Sequence, residues 1–138
     1  MQLRIAALAD YTNITNNGKL NILGIFSQIF AANVPATHLQ MRLVLQFAFD
    51  QTDIGEKPVR IVLQDEDGRV VLSVEGTLII PNHQGPDPII VNQVMLLQNV
   101  VFPEFRGYEF AVEIDGQPLP VKVPVDVVRA TPPEQNQV

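Results

Sequence analysis

The sequence predicts an all-β domain, an antiparallel β-sandwich of about eight strands that is immunoglobulin-like in general style. Three observations support this: no stretch has a useful helical period, apolar residues alternate with period two or form short β-branched runs, and turn-forming residues separate them. Without crossover helices the strands should pair antiparallel. Uneven strand lengths and spacings favour two packed sheets over a closed barrel. We expect one domain over 1–129 and a disordered, polar, proline-containing tail over 130–138.

Each predicted strand is an apolar stretch bounded by turn or loop residues. In chain order they cover residues 2–10, 19–30, 41–50, 58–64, 69–80, 89–101, 107–114 and 117–128. The stretches NNGK, DEDG and DG have the residues of tight turns, because Asn, Asp and Gly tolerate positive φ. Longer connections are predicted at AANVPATHLQ (31–40), DQTDIGEK (50–57) and PNHQGPDP (81–88).

The last hairpin has a specific predicted register. A two-residue turn at Asp115–Gly116 places Phe110 opposite Val121 and puts the apolar residues of both strands on one face. Three prolines then fall where the backbone nitrogens point away from the partner strand: Pro118, Pro120 and Pro124. This pattern predicts an edge strand without outward donors, which discourages aggregation. A polyproline recognition motif is the alternative.

Composition excludes several classes of function. Nine basic and fifteen acidic residues give a net charge of −6, and no Lys/Arg cluster is present, so we expect no nucleic-acid and no membrane partner. The chain has no cysteine, which excludes disulfides, thiolate nucleophiles and thiolate metal sites. The first residues, MQLRIAALADY, lack the pattern of a signal peptide or membrane span. We therefore expect a cytoplasmic protein.

Residues for catalysis are few. Ser27 and Ser73 lie within predicted strands, whereas a nucleophilic serine is typically exposed on a turn. His38 and His83 lie in predicted loops without the paired spacing of a metal site. The sequence therefore predicts no enzyme, no cofactor and no metal centre.

Two acidic segments leave a ligand-binding alternative open. Asp50, Asp53, Asp65 and Asp67 occupy loops that could meet at one end of a sandwich and supply oxygens to calcium. The turn role of Asp65 and Asp67 already explains those two residues. The runner-up function is therefore a small-ligand or calcium-binding sandwich.

The strands predicted at 2–10 and 19–30 are apolar on both faces, although a sheet with one face in water should alternate cleanly. Either the protein's own 31–40 segment or another protein chain should cover the second face. We predict a non-enzymatic interaction or scaffold domain, most simply a two-fold homodimer. The candidate interface residues are Leu8, Leu23, Ile25 and Ile29.

Two resemblances support the fold. The stretch RGYEF at the start of a penultimate strand resembles the tyrosine corner of immunoglobulin-like domains, with Tyr108 as the corner residue. The stretches ALADYTNITNNGKLNILGIFSQIFA, MRLVLQF, DEDG and FPEFRGYEF are similar to a bacterial family of small all-β proteins of unknown function. This second resemblance implies a stand-alone β-domain and supplies no activity, substrate or site residues.

Overall fold

The computed structural model describes residues 1–130, and these residues form an all-β structure of two sheets. The strands are β1 (Gln2–Ile14), β2 (Leu20–Phe26), β3 (Gln28–Ala31), β4 (Ala36–Phe49), β5 (Gly55–Asp65), β6 (Val70–Ile80), β7 (Ile89–Phe102), β8 (Gly107–Ile114), β9 (Gln117–Pro118) and β10 (Val123–Arg129). A 3₁₀ turn at Gln51–Asp53 precedes β5. Over these residues no helix is long and apolar enough to cross a membrane. The tail predicted over 130–138 lies, apart from Ala130, outside the described residues.

The strands divide into a four-stranded sheet I and a six-stranded sheet II. Sheet I has the order β2-β1-β4-β7, and sheet II has the order β3-β10-β8-β5-β6 with β9 paired to β8. Every pair is antiparallel except β3 with β10, which is parallel. The expectation of purely antiparallel pairing is therefore wrong for sheet II, which is mixed.

The strand predicted over 19–30 is two strands in different sheets. The chain leaves sheet I after Phe26, and Ser27 marks the crossing, where its carbonyl oxygen accepts a hydrogen bond from the Asp126 nitrogen at 2.8 Å. Beyond the crossing, β3 adds to the edge of sheet II beside β10. This change of sheet explains why Ile29 enters the core, whereas Leu23 and Ile25, which precede the crossing, remain exposed on β2.

The strand predicted over 117–128 is also divided. The turn register is as predicted, with Ile114 paired to Gln117, but Phe110 pairs with Val123 and not with Val121. Two more residues are therefore accommodated between β9 and β10 than a regular hairpin allows. The edge-strand prediction is wrong for β10, which lies inside sheet II between β8 and β3.

The prolines nevertheless lie at positions where strand pairing needs no hydrogen bond from the backbone nitrogen. The Leu119 nitrogen donates to Val112 of β8 at 2.8 Å, so Pro118 and Pro120 direct their nitrogens away from β8. The Asp126 nitrogen donates to Ser27, on the side of β10 that faces β3. The nitrogen of Pro124, two residues earlier, points to the same side. Pairing with β3 begins only at Asp126, so no ladder bond is lost at Pro124.

Side chains from both sheets form one core. In β8 every second residue is buried, and the ring of Tyr108 packs edge-on against Phe102 of sheet I at 5.1 Å between centroids. The Tyr108 hydroxyl donates to the Glu104 carbonyl at 2.9 Å and accepts from the Glu104 nitrogen at 3.1 Å. The predicted corner contact, from a tyrosine back to the preceding backbone, is therefore present.

Candidate functional site

Alternation along β4 defines two faces of sheet I. The buried side chains of Met41, Leu43 and Leu45 belong to the core, so Val44 projects from the opposite face. Residues paired directly across neighbouring strands share a face, and Val44 pairs with Ala7 of β1 and with Val94 of β7. The register thus assigns positions on every strand to this outer face of sheet I.

The outer face of sheet I has apolar residues on all four strands, interspersed with amide side chains and Arg42. We call its apolar residues the apolar patch: Ile5, Ala7, Ala9, Tyr11, Leu23, Ile25, Val44, Ala48, Ile90, Val94 and Leu96. Ala9 and Val44 are each 0% exposed, yet neither belongs to the core cluster. The patch therefore has a buried centre of its own, shielded by its neighbours on the same face. At its margin Ile25 is 66% exposed and Leu23 is 58% exposed.

Polar residues on the same face bond among themselves. The Arg42 guanidinium lies 5.1 Å from the centre of the Tyr11 ring and donates to the Asp10 carbonyl at 2.7 Å. Gln46 donates to the Asn92 side chain at 2.8 Å. The exposed apolar side chains of the face are Tyr11 of β1, Leu23 and Ile25 of β2, and Ile90 and Leu96 of β7.

The outer face of sheet II is charged by comparison. Arg60 lies 3.9 Å from Glu75, and Lys122 lies 3.1 Å from Glu109. Exposed apolar side chains occur there at separate positions, such as Ile79 on β6 and Phe30 on β3. Scattered apolar residues are normal on a protein surface, whereas apolar residues on four neighbouring strands of one face are typical of an interaction site.

The four candidate interface residues divide into two pairs. Leu23 and Ile25 lie on the outer face, directly opposite Tyr11 and Ala9 of β1. The assignment of the other two residues to the surface is wrong: Leu8 is 1% exposed and Ile29 is 7% exposed, and both belong to the core. Leu8 precedes the outward Ala9 by one residue, and Ile29 follows the crossing to sheet II.

Residues on β4 and β7 complete the patch, and the sequence prediction did not include them. Val44 and Leu96 lie in long runs in which odd-numbered and even-numbered positions alike are apolar. Alternation therefore could not show which face of the sheet these two residues occupy. The proposed intramolecular cover, segment 31–40, is not a covering loop. Its last five residues begin β4, and Leu39 is itself 73% exposed.

The first acidic loop uses its carboxylates for local structure. Asp50 caps the 3₁₀ turn, and hydrogen bonds from the Thr52 hydroxyl and the Thr52 nitrogen hold the pKa of Asp50 below its usual value. Asp53 accepts from the Asp50 nitrogen at 3.1 Å and lies 3.8 Å from the Lys57 ammonium. A cleft of about 580 Å³ lies beside Asp50, between this turn and residues 85–88.

The second acidic loop is organised by Arg106. This guanidinium lies 3.2 Å from Asp65, 3.0 Å from Asp67 and 3.2 Å from Glu104. The buried Asp65 carboxylate also accepts from the backbone nitrogens of Asp67 and Arg69, each at 2.9 Å. Over residues 1–130 no three carboxylate or imidazole groups are grouped so that they could hold one metal ion.

The histidines and serines belong to neither acidic loop. His38 belongs to β4 and not to a loop, and its ring centroid lies 5.7 Å from that of Phe26. Its Nε2 atom is buried and has no hydrogen-bond partner among residues 1–130. His83 is exposed between β6 and β7, Ser73 pairs with Val62 within sheet II, and Ser27 lies at the crossing.

We expect Asp65 to make folding sensitive to acid. Burial raises the pKa of Asp65, but hydrogen bonds from the Arg69 and Asp67 nitrogens and the charge of Arg106 outweigh it, so the pKa lies below 3.8. A lowered pKa stabilises the fold above the unfolded-state value, and this contribution is lost as the pH falls below 3.8. Urea denaturation at a series of pH values should therefore show that, as the pH falls, the free energy of unfolding decreases less steeply for Asp65→Asn than for wild type. Identical slopes would contradict this role.

Comparison with known proteins gives a family without an assigned activity. Residues 4–128 match the model of the "Family of unknown function (DUF6941)". No curated protein matches the chain, and no solved structure matches it.

Proposed function

We propose that this chain, which belongs to that family of unknown function, is a non-enzymatic protein-interaction domain. Its two sheets would pack as a sandwich and present the apolar patch to a second copy of the chain. The supporting observation is the contrast between an apolar outer face on sheet I and a charged outer face on sheet II. A chain without cysteine suits the reducing cytoplasm, where we place it.

The dimensions of the face suit a dimer. Strands β1, β4 and β7 have 13, 14 and 14 residues, and β2 adds seven. At about 3.3 Å per residue and about 4.8 Å between strands, the face covers roughly 760 Å². A stable interface buries roughly 800 Å² per partner, so the contact would have to cover essentially the whole face.

The chemistry of the face also suits self-association. Removing apolar surface from water contributes about 25 cal/mol per Å², and the exposed residues at the margin are aliphatic or aromatic. The net charge of −6 opposes the approach of two copies, but exposed charges are screened beyond about 8 Å at physiological salt. The apolar patch itself has no carboxylate, so contact between two patches does not bring two acidic groups together.

We predict that Ile25→Asp disrupts association and leaves the fold intact. Ile25 is 66% exposed, so the monomer loses little packing, whereas a carboxylate in the interface would lose its hydration without a partner. Ile79→Asp is the matched control, because Ile79 is 64% exposed on sheet II. Sedimentation velocity should show a smaller species for Ile25→Asp only, and circular dichroism should show that both variants keep the native β structure.

Two outcomes would overturn the proposal. A wild-type protein that sediments as a monomer at all concentrations has no self-association to explain. Equal effects of Ile25→Asp and Ile79→Asp on sedimentation would show that general charge, and not the apolar patch, controls association.

Ligand binding is the second candidate, and the cleft of about 580 Å³ beside Asp50 is the observation in its favour. Thr52 bonds to only one oxygen of Asp50, but among residues 1–130 this carboxylate belongs to no group of three side chains that could hold a metal ion. We therefore expect calcium to leave the melting temperature unchanged. A stabilisation by calcium that disappears in Asp50→Asn would instead favour this second candidate.

A further inference from the structure

Strand β7 forms one edge of sheet I and has no charged residue and no proline in its 14 residues, IIVNQVMLLQNVVF. Edge strands are usually protected from pairing with other chains by charge, proline, shortness or irregular backbone. The other edges have such features: β3 has four residues, β6 contains Glu75, and β2 is interrupted by Gly24 at φ +72°. In β7 the comparable feature is Asn99, at φ +54°, near one end.

The outer edge of β7 has backbone groups available for pairing. Its inner edge pairs with β4 from Ile89 to Phe102. In the part of the chain that the structure describes, no backbone hydrogen bond joins the outer edge to another segment. Strand β6 approaches near Gln93 and Met95, but a cleft of about 100 Å³ lies there and no ladder forms.

We propose that β7 pairs antiparallel with β7 of a second copy and joins two four-stranded sheets into one. This interface goes beyond the proposed contact through the apolar patch and does not rest on it. Antiparallel pairing of one strand with its copy has two-fold symmetry, as most homodimers do. It also satisfies the unpaired backbone donors and acceptors of both edges at once.

The side chains of β7 favour a copy of the same strand as the partner. Since β7 is uncharged, pairing with its own copy places no like charges opposite each other, even though each chain has a net charge of −6. Four amide side chains lie along the strand: Asn92, Gln93, Gln98 and Asn99. An amide both donates and accepts, so these side chains can hydrogen-bond to those of a copy.

The edge and the apolar patch would form separate interfaces. Ile25 lies on β2, at the opposite side of sheet I from β7, so a substitution there leaves the β7 edge unchanged. If both interfaces form and their two-fold axes intersect, the assembly closes at four chains. We expect Ile25→Asp to reduce it to a dimer that is held by β7 alone.

The test combines Ile25→Asp with a double variant of the edge, Gln98→Lys with Val101→Lys. Both edge positions are exposed, and lysine on an edge strand opposes pairing. The matched control is Thr77→Lys with Ile79→Lys on β6, the edge of sheet II, where both positions are also exposed. In the Ile25→Asp background, sedimentation should show a monomer after the β7 changes and a dimer after the β6 changes.

Hydrogen exchange keeps the test valid if the lysine variant fails to fold. In the Ile25→Asp protein, alternate β7 amides that do not bond to β4 should exchange at least about tenfold faster in the dilute monomer than in the dimer. A monomeric Ile25→Asp protein, or β7 amides that are insensitive to concentration, would overturn the edge proposal. If the lysines reduce the mass and Ile25→Asp does not, the edge stands and the proposed patch contact fails.

Discussion

Phe110→Ala lowers the free energy of unfolding by about 3–5 kcal/mol, the usual cost of removing a buried aromatic ring. Phe110 is 0% exposed and occupies the middle of sheet II, paired with Leu63 of β5 and Val123 of β10. Its ring belongs to the core that both sheets share, so the resulting cavity would weaken contacts on both sides. Urea denaturation, with midpoint and slope measured separately, gives the change directly.

Tyr108→Phe is the matched comparison on the same strand, and we expect a smaller loss of about 1–2 kcal/mol. It keeps the buried ring but leaves the nitrogen and carbonyl of Glu104 without the two hydrogen bonds from the hydroxyl. A larger loss for Tyr108→Phe than for Phe110→Ala would show that the corner contact contributes more to stability than core packing does.

Ile29→Asp is expected to unfold the protein or to lower the free energy of unfolding by more than about 4 kcal/mol. Ile29 is 7% exposed and directs its side chain into the core, so the change removes apolar packing and buries a carboxylate. Ile25→Asp, only four residues earlier, should leave the chain folded and cost far less stability than Ile29→Asp, because its site is exposed.

The pair Ile25 and Ile29 tests the crossing at Ser27. A single regular strand would place residues four apart on the same face. The change of sheet places one in water and the other in the core. Circular dichroism melts of the two variants report this difference without any assumption about a partner. Equal stability of the two variants would contradict the crossing.

Alternation predicted most of the strands because a half-buried strand must direct alternate residues to the core. Residues 107–114 have this pattern, and all four of their core positions are buried in β8. Alternation could not locate the crossing at Ser27, since a strand that changes sheets remains extended and apolar throughout. It also could not show that β10 pairs in parallel with β3, because that pair is distant in sequence.

The same physics explains how far the candidate site could be predicted. Leu23 and Ile25 were identified because an apolar residue on a face that should be wet is informative. Ile29 was misassigned because the sequence does not reveal a change of sheet. Leu8 was misassigned because β1 is apolar on both faces, so alternation did not show which face enters the core. Val44 was missed because the β4 run LVLQFAF has apolar residues at both odd-numbered and even-numbered positions. Only the pairing with Ala7 and Val94 shows that Val44 lies on the outer face.

The most direct test of the apolar patch as a protein interface is hydroxyl-radical footprinting of the wild-type protein at increasing concentration. Oxidation of Tyr11, Leu23 and Ile25 should decrease as the protein associates, because these exposed side chains become covered. Oxidation of Ile79 and Phe30, which are exposed on sheet II, should remain constant. Protection of the sheet II residues instead, or no protection of the patch in an associated sample, would contradict the account.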